Sequence, residues 1–365
     1  MTSEGLPDLR HEPHPNPTPA AQRDALIANP VFGTVFTDHM FQMTWTEGRG
    51  WHSATIKPYG PLQLSPAAAV LHYAQEIFEG LKAYRYPDGG IGLFRAEANA
   101  HRLNLSADRM AMPHLPEEWF LASIRELLAV DGDWVPSQEE SSLYLRPYMF
   151  ASEAFLGVRP AKEFTYLVIA SPAAAYFKNG PKPLNLWVSD EYNRAGPGGT
   201  GAAKCGGNYA ASLLPQSEAI EHGCDQVVFL DAVEYKYVDE LGGMNLFFVN
   251  ENERVVHTPK LGTILPGITR DAILTLAAEA GWEVRETKYS IDRWRDEAES
   301  GILSEAFACG TAAVITPIGT VKSRNGEFKV NGGEAGKFTM QLRQAILDLQ
   351  HGRAEDTHGW TTKVA

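Results

Sequence analysis

The first half of the chain alternates between segments with strand-like and helix-like spacing of apolar residues. Strands are predicted for four segments rich in β-branched and aromatic residues, TDHMFQMTW, GGIGLFR, SSLYLRPYMFAS and EFTYLVIASP. Helices are predicted for AEANAHRLNLSADRMA and EEWFLASIRELLAV, in which apolar residues recur every three or four positions. The segment AAAYFKNGPKPL is dense in turn residues and predicts a link between two parts of the chain.

The second half contains more short strands, separated by helices at irregular intervals. Strands are predicted for LNLWVSD, DQVVFLD, YVDELGG, MNLFFVN and RVVHTP, and helices for NYAASLLPQSEAIEHG, ITRDAILTLAAEAG and GKFTMQLRQAILDLQHG. Strands and helices do not alternate regularly, and no GxGxxG fingerprint directly follows a predicted strand and opens a helix. The pattern therefore predicts an α+β fold rather than a parallel dinucleotide-binding sheet.

The length of 365 residues suggests two domains, each able to bury its own core. Residues 1–30 are predicted to form an extended N-terminal arm, since their first part is rich in Pro and His and poor in large apolar side chains. We expect a small domain over residues 31–175 and an interdomain linker over 176–187. Residues 188–365 are expected to form a larger C-terminal domain.

Charge and cysteine content narrow the classes of partner and compartment. The 32 basic and 45 acidic residues give a net charge of −13, which disfavours nucleic acid and membrane surfaces but permits a small anionic ligand in a basic pocket. No apolar run reaches the roughly 18 residues needed to span a bilayer, and the N-terminus lacks the apolar core of a signal peptide. Three cysteines without metal-ligand spacing fit a reducing compartment. We therefore expect a cytoplasmic protein.

The densest chemical signal is RAGPGGTGAAKCGGNYAASLLPQ, in which six glycines surround Lys204. Glycine permits positive φ and close approach of the backbone to a planar ligand, and Asn208 is expected to cap the helix that follows. A lysine removed from water has a lowered pKa and can attack carbonyl groups. A solvated loop lysine is the alternative. A P-loop is excluded because GxxxxGK[ST] is absent.

Four further segments carry candidate groups, several of them with an ordinary structural alternative. The start of the helix after ILPG offers N–H groups and the Thr269 hydroxyl to an anion, and an ordinary capped helix is the alternative. The loop CGTAAVITP could add the Thr311 hydroxyl to the same anion site. Glu240 ends a strand beside two glycines, either as a functional carboxylate or as a surface turn residue, and no ligand spacing indicates a metal. Arg146 lies in an otherwise apolar strand, where a guanidinium normally faces an anion.

The chain contains the motifs FTDHMF, FEGLKAYR, the spaced Arg194, Lys204 and GGNY, ELGGMN and ILPGITR. Together these motifs resemble the branched-chain amino acid aminotransferases, over about nine-tenths of the chain. EGLKAYR and GGNYAASL separate this family from its D-amino-acid relatives. The resemblance implies a two-domain, fold-type IV pyridoxal-phosphate enzyme, with the cofactor between a smaller N-terminal and a larger C-terminal domain.

The resemblance also implies roles for the cofactor-binding residues. Lys204 would form the Schiff base and move the proton between Cα and the C4′ carbon of the cofactor. Glu240 would keep the pyridine nitrogen protonated, and Tyr209 would donate to O3′. The cofactor phosphate would be bound by Arg102, Ile268, Thr269 and Thr311.

For the substrate, the resemblance implies an apolar side-chain pocket and contacts to carboxylates. The pocket would be lined by Phe32, Phe78, Tyr144 and Tyr176, with Tyr73, Leu156 and Val158 contributed by the partner subunit of a homodimer. Arg146 would meet the distal carboxylate of glutamate, and backbone groups at Gly243 and Ala312 would meet the α-carboxylate. Two departures stand out: Ala313 and Thr316 replace the CxxC of animal members, and Gly243 replaces their Thr.

The expected reaction is reversible transamination between Leu, Ile or Val and 2-oxoglutarate by a ping-pong mechanism. The alternatives are a D-amino-acid aminotransferase, an enzyme like aminodeoxychorismate lyase, or a non-catalytic binding protein with the same fold. A binding protein should have lost Lys204 or Glu240, and this chain has both.

Overall fold

The structure, a computed structural model, describes residues 5–174 and 181–364. The helices predicted from the sequence are present, with one broken into two, and additional helices occur. The helices are α1 (Ala20–Ala28), α2 (Ala69–Tyr73), α3 (Ala96–Arg109), α4 (Glu117–Asp131), α5 (Gly206–Ala210), α6 (Leu213–Glu221), α7 (Ile268–Glu279), α8 (Ile291–Ser300) and α9 (Lys337–Gln350).

The predicted strands are also present, with their bounds shifted by one or two residues. In the first part of the chain they are β1 (Arg10–His11), β2 (His39–Thr46), β3 (Gly50–Pro58), β4 (Glu76–Phe78), β5 (Leu81–Arg85), β6 (Ile91–Phe94), β7 (Ser142–Ala151) and β8 (Glu163–Ala173). The later strands are β9 (Leu184–Ser189), β10 (Gln226–Leu230), β11 (Val238–Leu241), β12 (Asn245–Asn250), β13 (Val255–Thr258), β14 (Glu283–Glu286), β15 (Glu305–Gly310), β16 (Val314–Ser323), β17 (Gly326–Lys329) and β18 (Thr361–Lys363).

The first of two compact units contains the described residues up to 174, together with Ala203–Gly206 and residues 348–364. Its sheet has the order β1-β3-β2-β8-β7-β5-β6-β18, with β4 paired to β7. The long strands β2, β3, β7 and β8 pair antiparallel. Helix α4 packs against β2 and against α3. The core between sheet and helices is aromatic, with Phe41, Phe120 and Tyr166 fully buried.

The second unit contains residues 181–202 and Gly207–Leu347. Its sheet has the order β11-β10-β9-β16-β15-β12-β13-β14, with β17 paired to β16. Strand β9 runs parallel to both of its neighbours, whereas β12, β15 and β16 pair antiparallel. Helix α7 packs on β14 and β15, and α6 on β9 and β10. Two mixed sheets, each with its own helices, confirm the predicted α+β class.

The units differ from the predicted domain boundaries at four places. Ala203–Gly206 belongs to the first unit because Ala203 and Cys205 pack in that unit's core. The C-terminal residues join it because β18 pairs with β6. The predicted linker is partly a strand, since β9 begins at Leu184, and its residues 176–180 lie outside the described part of the chain. The predicted arm contains a helix, α1, whose Leu26 and Ile27 pack against the core.

Three local predictions need correction. The segment predicted as a single helix after Lys204 is divided into α5 and α6. Asn208 does not cap this helix, because it is a residue within α5 and its side chain binds Thr200. CGTAAVITP, predicted as a short loop, belongs mostly to β15 and β16, and only residues 311–313 form a turn between them. Helix α8 was missed, although Ser290 accepts the Arg293 N–H as a sequence-readable N-cap.

Candidate active site

Lys204 lies in a short segment that hydrogen bonds fix to the first unit. Its backbone N–H donates to the Ser106 hydroxyl on α3 at 3.0 Å, and its carbonyl accepts the Phe78 N–H at 2.9 Å. Its neighbours Ala203 and Cys205 are each 1% exposed. The side chain is half-buried, with Nζ 4.8 Å from the centre of the Phe78 ring. The glycine-rich sequence thus turns at this point, but core packing holds the lysine in place.

The charges around Lys204 come from three elements of the first unit. Burial, Arg102 on α3 and Arg146 on β7 lower the pKa of Lys204 to about 8, against the opposing effects of Glu79 and Tyr144. A lysine amine with such a pKa is partly neutral near neutrality, as a nucleophile or a general base requires. This result favours the functional interpretation of Lys204 over a solvated loop lysine.

Arg102 is buried against the carboxylate of Glu79, a residue for which the sequence analysis predicted no role. Its Nε donates to Glu79 Oε1 at 2.8 Å and its Nη2 donates to Glu79 Oε2 at 2.8 Å. Asn99 Nδ2 also donates to Glu79 Oε2, at 2.7 Å. Burial alone would raise the pKa of Glu79, but Arg102, Lys204 and the hydrogen bonds outweigh it and lower the pKa. Glu79 is therefore an ionised carboxylate in the protein interior.

A cavity of about 240 Å³ in the first unit contains three of the residues predicted to line the substrate pocket. Arg146 donates from Nη2 to the Tyr144 hydroxyl at 3.1 Å, and its guanidinium lies 4.7 Å from the centre of the Phe78 ring. Arg146 Nε is buried without a hydrogen-bond partner among the described residues. Such an orphaned donor fits a bound anion. The cavity is lined by Phe32, Gly33, Phe36, Tyr144, Arg146, Ile169, Ala170 and Ser171.

Gly80 is needed for the position of Tyr144 in this cavity. A Cβ atom at Gly80 would lie 2.0 Å from the Tyr144 hydroxyl oxygen, which is closer than two non-bonded atoms can approach. The FEGLKAYR motif thus supplies Phe78 and Glu79 beside Lys204, and it also leaves room for the tyrosine that binds Arg146.

Three residues predicted to complete the partner's pocket lie outside this cavity, and a fourth predicted substrate residue lies outside the described part of the chain. Tyr73 is 38% exposed and donates to the Leu156 carbonyl at 2.5 Å. Leu156 and Val158 are 66% and 90% exposed. These three form an apolar surface of the first unit rather than part of its cavity. Tyr176 lies outside the described residues.

In the second unit, Glu240 is 2% exposed at the end of β11 and is not a surface turn residue. Its Oε1 lies 2.7 Å from Arg194 Nη1 and accepts the Leu265 N–H at 3.2 Å. Arg194 also donates to the Gly201 carbonyl at 3.2 Å, and its guanidinium lies 5.9 Å from the centre of the Tyr209 ring. The structure thus groups Arg194, Tyr209 and Glu240 around one buried ion pair.

Backbone segments predicted to bind the α-carboxylate and the phosphate also lie in the second unit. Helix α7 begins at Ile268, and Thr269 in its first turn is buried. The turn with Thr311 and Ala312 follows Gly310, where a Cβ would approach the Gly243 carbonyl to 3.5 Å. A Cβ at Gly243 would in turn lie 3.9 Å from the Tyr209 ring. Gly243 therefore lies between Tyr209 on one side and the start of the turn at Gly310 on the other.

Two kinds of feature are absent from the described part of the chain. No group of three or more His, Cys, Asp and Glu side chains in residues 5–174 and 181–364 is arranged to hold a metal ion. Within the same ranges, no helix has the length and apolar character needed to cross a membrane.

The chain can now be compared with known proteins. The model of the family "Amino-transferase class IV" matches residues 76–321, which include Glu79, Lys204, Glu240 and Thr311. The chain belongs to this family. Among its relatives, the branched-chain-amino-acid aminotransferase of Mycolicibacterium smegmatis is 57% identical over 354 residues, 96% of each chain. A probable branched-chain-amino-acid aminotransferase of Streptomyces coelicolor is 54% identical over 98% of this chain and 99% of its own.

Solved structures of class IV members agree. The Escherichia coli branched-chain amino acid aminotransferase superposes with a TM-score of 0.73 at 31% identity, covering 88% of this chain and 99% of that one. The branched-chain amino acid aminotransferase of Thermobaculum terrenum, solved in its PLP-form, gives a TM-score of 0.71 at 25% identity and covers 89% and 98%.

Sequence reasoning missed two carboxylates in this class IV chain. Glu79 follows Phe78 in FEGLKAYR. Like Arg146, it is a charged residue among apolar residues, so the argument that a buried charge needs a partner applies to it as well. Glu76 accepts the Gly206 N–H. Burial raises the pKa of Glu76, against the effects of Gly206 and Arg146. Only the pairing with Gly206, 130 residues away, distinguishes Glu76 from a surface glutamate.

Proposed function

We propose that this protein catalyses reversible transamination between L-leucine, L-isoleucine or L-valine and 2-oxoglutarate, using pyridoxal 5′-phosphate. The observation that carries the proposal is the Lys204 amine, whose pKa is lowered to about 8 and which lies against the same Phe78 ring as Arg146, a residue that lines the cavity. Relatives that are 54–57% identical over nearly the full length, and named for this activity, support it.

The residues present fit pyridoxal phosphate. A half-buried amine of lowered pKa suits its aldehyde, and the buried pair of Arg194 and Glu240 provides a fixed carboxylate suited to its ring nitrogen. Tyr209 would donate to the ring O3′ oxygen. The cofactor supplies an aldehyde for covalent capture of amino groups and a ring that accepts electrons from the substrate Cα. The phosphate would be bound by Arg102, Ile268, Thr269 and Thr311.

Lys204 would do the proton work of the reaction. The Lys204 amine, which is neutral for part of the time near pH 8, would accept the substrate Cα proton as a general base. The ammonium group so formed would give the same proton back as a general acid, so no net proton would be consumed. Ser106 and Phe78, which bind the Lys204 backbone, would hold the lysine in place for both transfers.

The cavity accounts for two chemically different substrates. Phe32 and Tyr144 would offer apolar surface to a branched side chain, as would Phe78, whose ring lies against Arg146. Arg146 Nε would offer a donor to the distal carboxylate of glutamate or 2-oxoglutarate. Backbone groups at Gly243 and Ala312 would bind the α-carboxylate, in place of the threonine hydroxyl that animal members have at position 243. Since one methylene changes apolar binding by only about 1–3 kcal/mol, we expect leucine, isoleucine and valine all to be accepted.

An absorbance spectrum of the purified protein tests the proposal. We expect a yellow protein whose visible band is replaced by the shorter-wavelength band of pyridoxamine phosphate after addition of L-leucine. Assays that offer L-leucine and D-alanine separately with 2-oxoglutarate distinguish the D-amino-acid aminotransferase, and release of pyruvate from aminodeoxychorismate distinguishes the lyase. A protein that binds no pyridoxal phosphate would overturn the proposal and favour a binding protein.

The exposed surface of Tyr73, Leu156 and Val158 supports a homodimer in which these residues complete the partner's substrate pocket. Exposed apolar side chains of this kind are typical of interfaces. We expect light scattering to give twice the mass of 40.1 kDa. Val158→Glu should produce a monomer with a raised KM for leucine, whereas a wild-type monomer of full activity would contradict the dimer.

The three cysteines, Cys205, Cys224 and Cys309, are buried free thiols. Free thiols persist in reducing compartments, which supports a cytoplasmic location. Cell fractionation followed by the leucine assay tests it, and activity confined to a secreted or membrane fraction would contradict it.

A further inference from the structure

Glu79 is a fully buried carboxylate for which neither the family resemblance nor the proposed reaction gives a role. It follows β4 and accepts four hydrogen bonds: from the Gly80 N–H at 3.2 Å, Asn99 Nδ2 at 2.7 Å, Arg102 Nε at 2.8 Å and Arg102 Nη2 at 2.8 Å. A buried ion pair is usually no more stable than a well-packed apolar pair. Stability alone therefore does not explain a carboxylate at this place.

The geometry of the pair restricts Arg102. The Nε and Nη2 atoms of one guanidinium bind the two oxygens of Glu79, and Asn99, on the same helix α3, binds one of these oxygens as well. A bidentate pair of this kind fixes the plane of the guanidinium. Glu79 thereby determines in which direction the remaining donor face of Arg102 points.

The same carboxylate balances the charges at Lys204. Lys204 is faced by Arg102 from α3, by Arg146 and Tyr144 from β7, and by Glu79 after β4. The two arginines disfavour a proton on the Lys204 amine, and Glu79 favours it. Without Glu79, the positive charge of Arg102 would act on Lys204 without this opposing negative charge.

We propose that Glu79 is a positioning residue for this reaction: its carboxylate fixes the guanidinium of Arg102 and stabilises the proton on the Lys204 nitrogen. The inference rests on the proposed function, which places Lys204 on the cofactor aldehyde and Arg102 on the cofactor phosphate.

Glu79→Gln tests the charge, because glutamine has nearly the same shape and is neutral. The absorbance of bound pyridoxal phosphate, titrated against pH in the holoenzyme, reports protonation of the Lys204 nitrogen. We expect the titration midpoint of the variant to be at least about one pH unit below that of the wild type. The sign follows from Coulomb's law, since removal of an anion makes the protonated form less stable.

Two further variants separate charge from packing. Glu79→Asp retains the negative charge, so its midpoint should stay within about 0.3 unit of the wild type even if its melting temperature falls. Asp131→Asn removes another buried carboxylate of the same unit, which binds His39 rather than Lys204, and should leave the midpoint unchanged. A Glu79→Gln midpoint equal to that of the wild type overturns the inference. If Glu79→Gln does not fold, a full-unit shift in Glu79→Asp overturns it.

The effect on Arg102 is measured by comparing ligands with and without a phosphate. We expect the preference of the protein for pyridoxal phosphate over pyridoxal, taken as the ratio of dissociation constants, to fall about tenfold in Glu79→Gln. An unchanged ratio would contradict the positioning of Arg102. A wild-type protein that binds no pyridoxal phosphate would instead contradict the proposed function itself, so the two failures are distinguishable.

Discussion

Lys204 in the first unit and Glu240 in the second unit meet their charged neighbours in opposite ways. Lys204 is faced by two arginines, and burial together with these cations lowers its pKa to about 8. Glu240 has an oppositely charged partner, the guanidinium of Arg194, at 2.7 Å, and a backbone N–H from Leu265. The first environment disfavours the charge of the group at its centre, whereas the second stabilises it.

The difference fits the work that we propose for each residue. A group that must give up and regain a proton during every turnover functions best when its pKa lies near the working pH. A carboxylate that must remain charged throughout the reaction is better placed against an arginine, which does not lose its proton in proteins. Variants at Lys204, Glu240 and nearby positions test whether the two environments differ in this way.

Lys204→Ala should have the largest effect. Removing the amine eliminates both the covalent attachment and the general base, so we expect kcat for leucine and 2-oxoglutarate to fall by at least about 10³-fold. Borohydride treatment should attach the cofactor to the wild-type chain but not to the variant, as measured by mass spectrometry. Lys162→Ala, which removes an exposed lysine paired with Glu47, serves as the control. A variant with near wild-type kcat would exclude Lys204 from catalysis.

Glu240→Gln should lower kcat by about 10²-fold, because the electrostatic support of the cofactor ring is lost. The variant should also be less stable, since Arg194 would remain buried without its carboxylate. Asp239→Asn is a matched control on the same strand, where Asp239 binds Thr263 instead. Equal losses of kcat in the two variants would show that Glu240 has no special role; steady-state kinetics and thermal melting provide both measurements.

Arg146→Gln should affect one substrate more than the other. Loss of a charge-assisted hydrogen bond is worth about 1.5–3 kcal/mol, so KM for 2-oxoglutarate should rise about 10- to 100-fold. We expect KM for leucine to change by less than about threefold, since its side chain has no carboxylate. Arg159→Gln, at an exposed ion pair with Glu153, is the control. Similar changes for both substrates would indicate a general disturbance of the cavity.

Asp239→Asn should give the smallest effect, a change in the pH dependence of stability. Burial and the nearby charge of Asp231 raise the pKa of Asp239 to about 6, despite Thr263 and Arg194. A folded-state pKa above the unfolded value means that stability is lost as the pH rises through 6. The variant should therefore be more stable than the wild type at pH 7.5 by about 1 kcal/mol, after allowance for solvent screening, and not at pH 4. Urea unfolding at the two pH values measures it, and an equal difference at both would contradict this pKa.

The sequence predicted most strands and helices because their periodicities are local. The helices at Ala96–Arg109 and Glu117–Asp131 and the strands at Ser142–Ala151 and Glu163–Ala173 were found to within a few residues. The long helix after Lys204 was incorrectly predicted as continuous, because its apolar stripe persists across the break at residues 211–212. Helix α8 was missed although it has an N-cap serine, since its composition is highly charged.

The candidate site was predicted in part. Phe32, Tyr144 and Arg146 line one cavity as expected, and Glu240 is buried as its proposed role requires. Glu79 was missed although the argument used for Arg146 applied to it, and Glu76 was missed because a glutamate at the start of a strand gives no local sign of burial. Their partners, Arg102 and the Gly206 N–H, are separated from them by 23 and 130 residues.

Local patterns in the sequence predicted most helices and strands, the glycine-rich surroundings of Lys204 and the family that these motifs resemble. They did not predict that Ala203–Gly206 packs with the first unit, or that the Lys204 amine is faced by Arg102, Arg146 and Glu79. The two kinds of information depend on different separations along the chain. Periodicity reports how residues two to four positions apart share a face, whereas burial and charge balance at Lys204 depend on segments that are distant in the chain and adjacent only after folding.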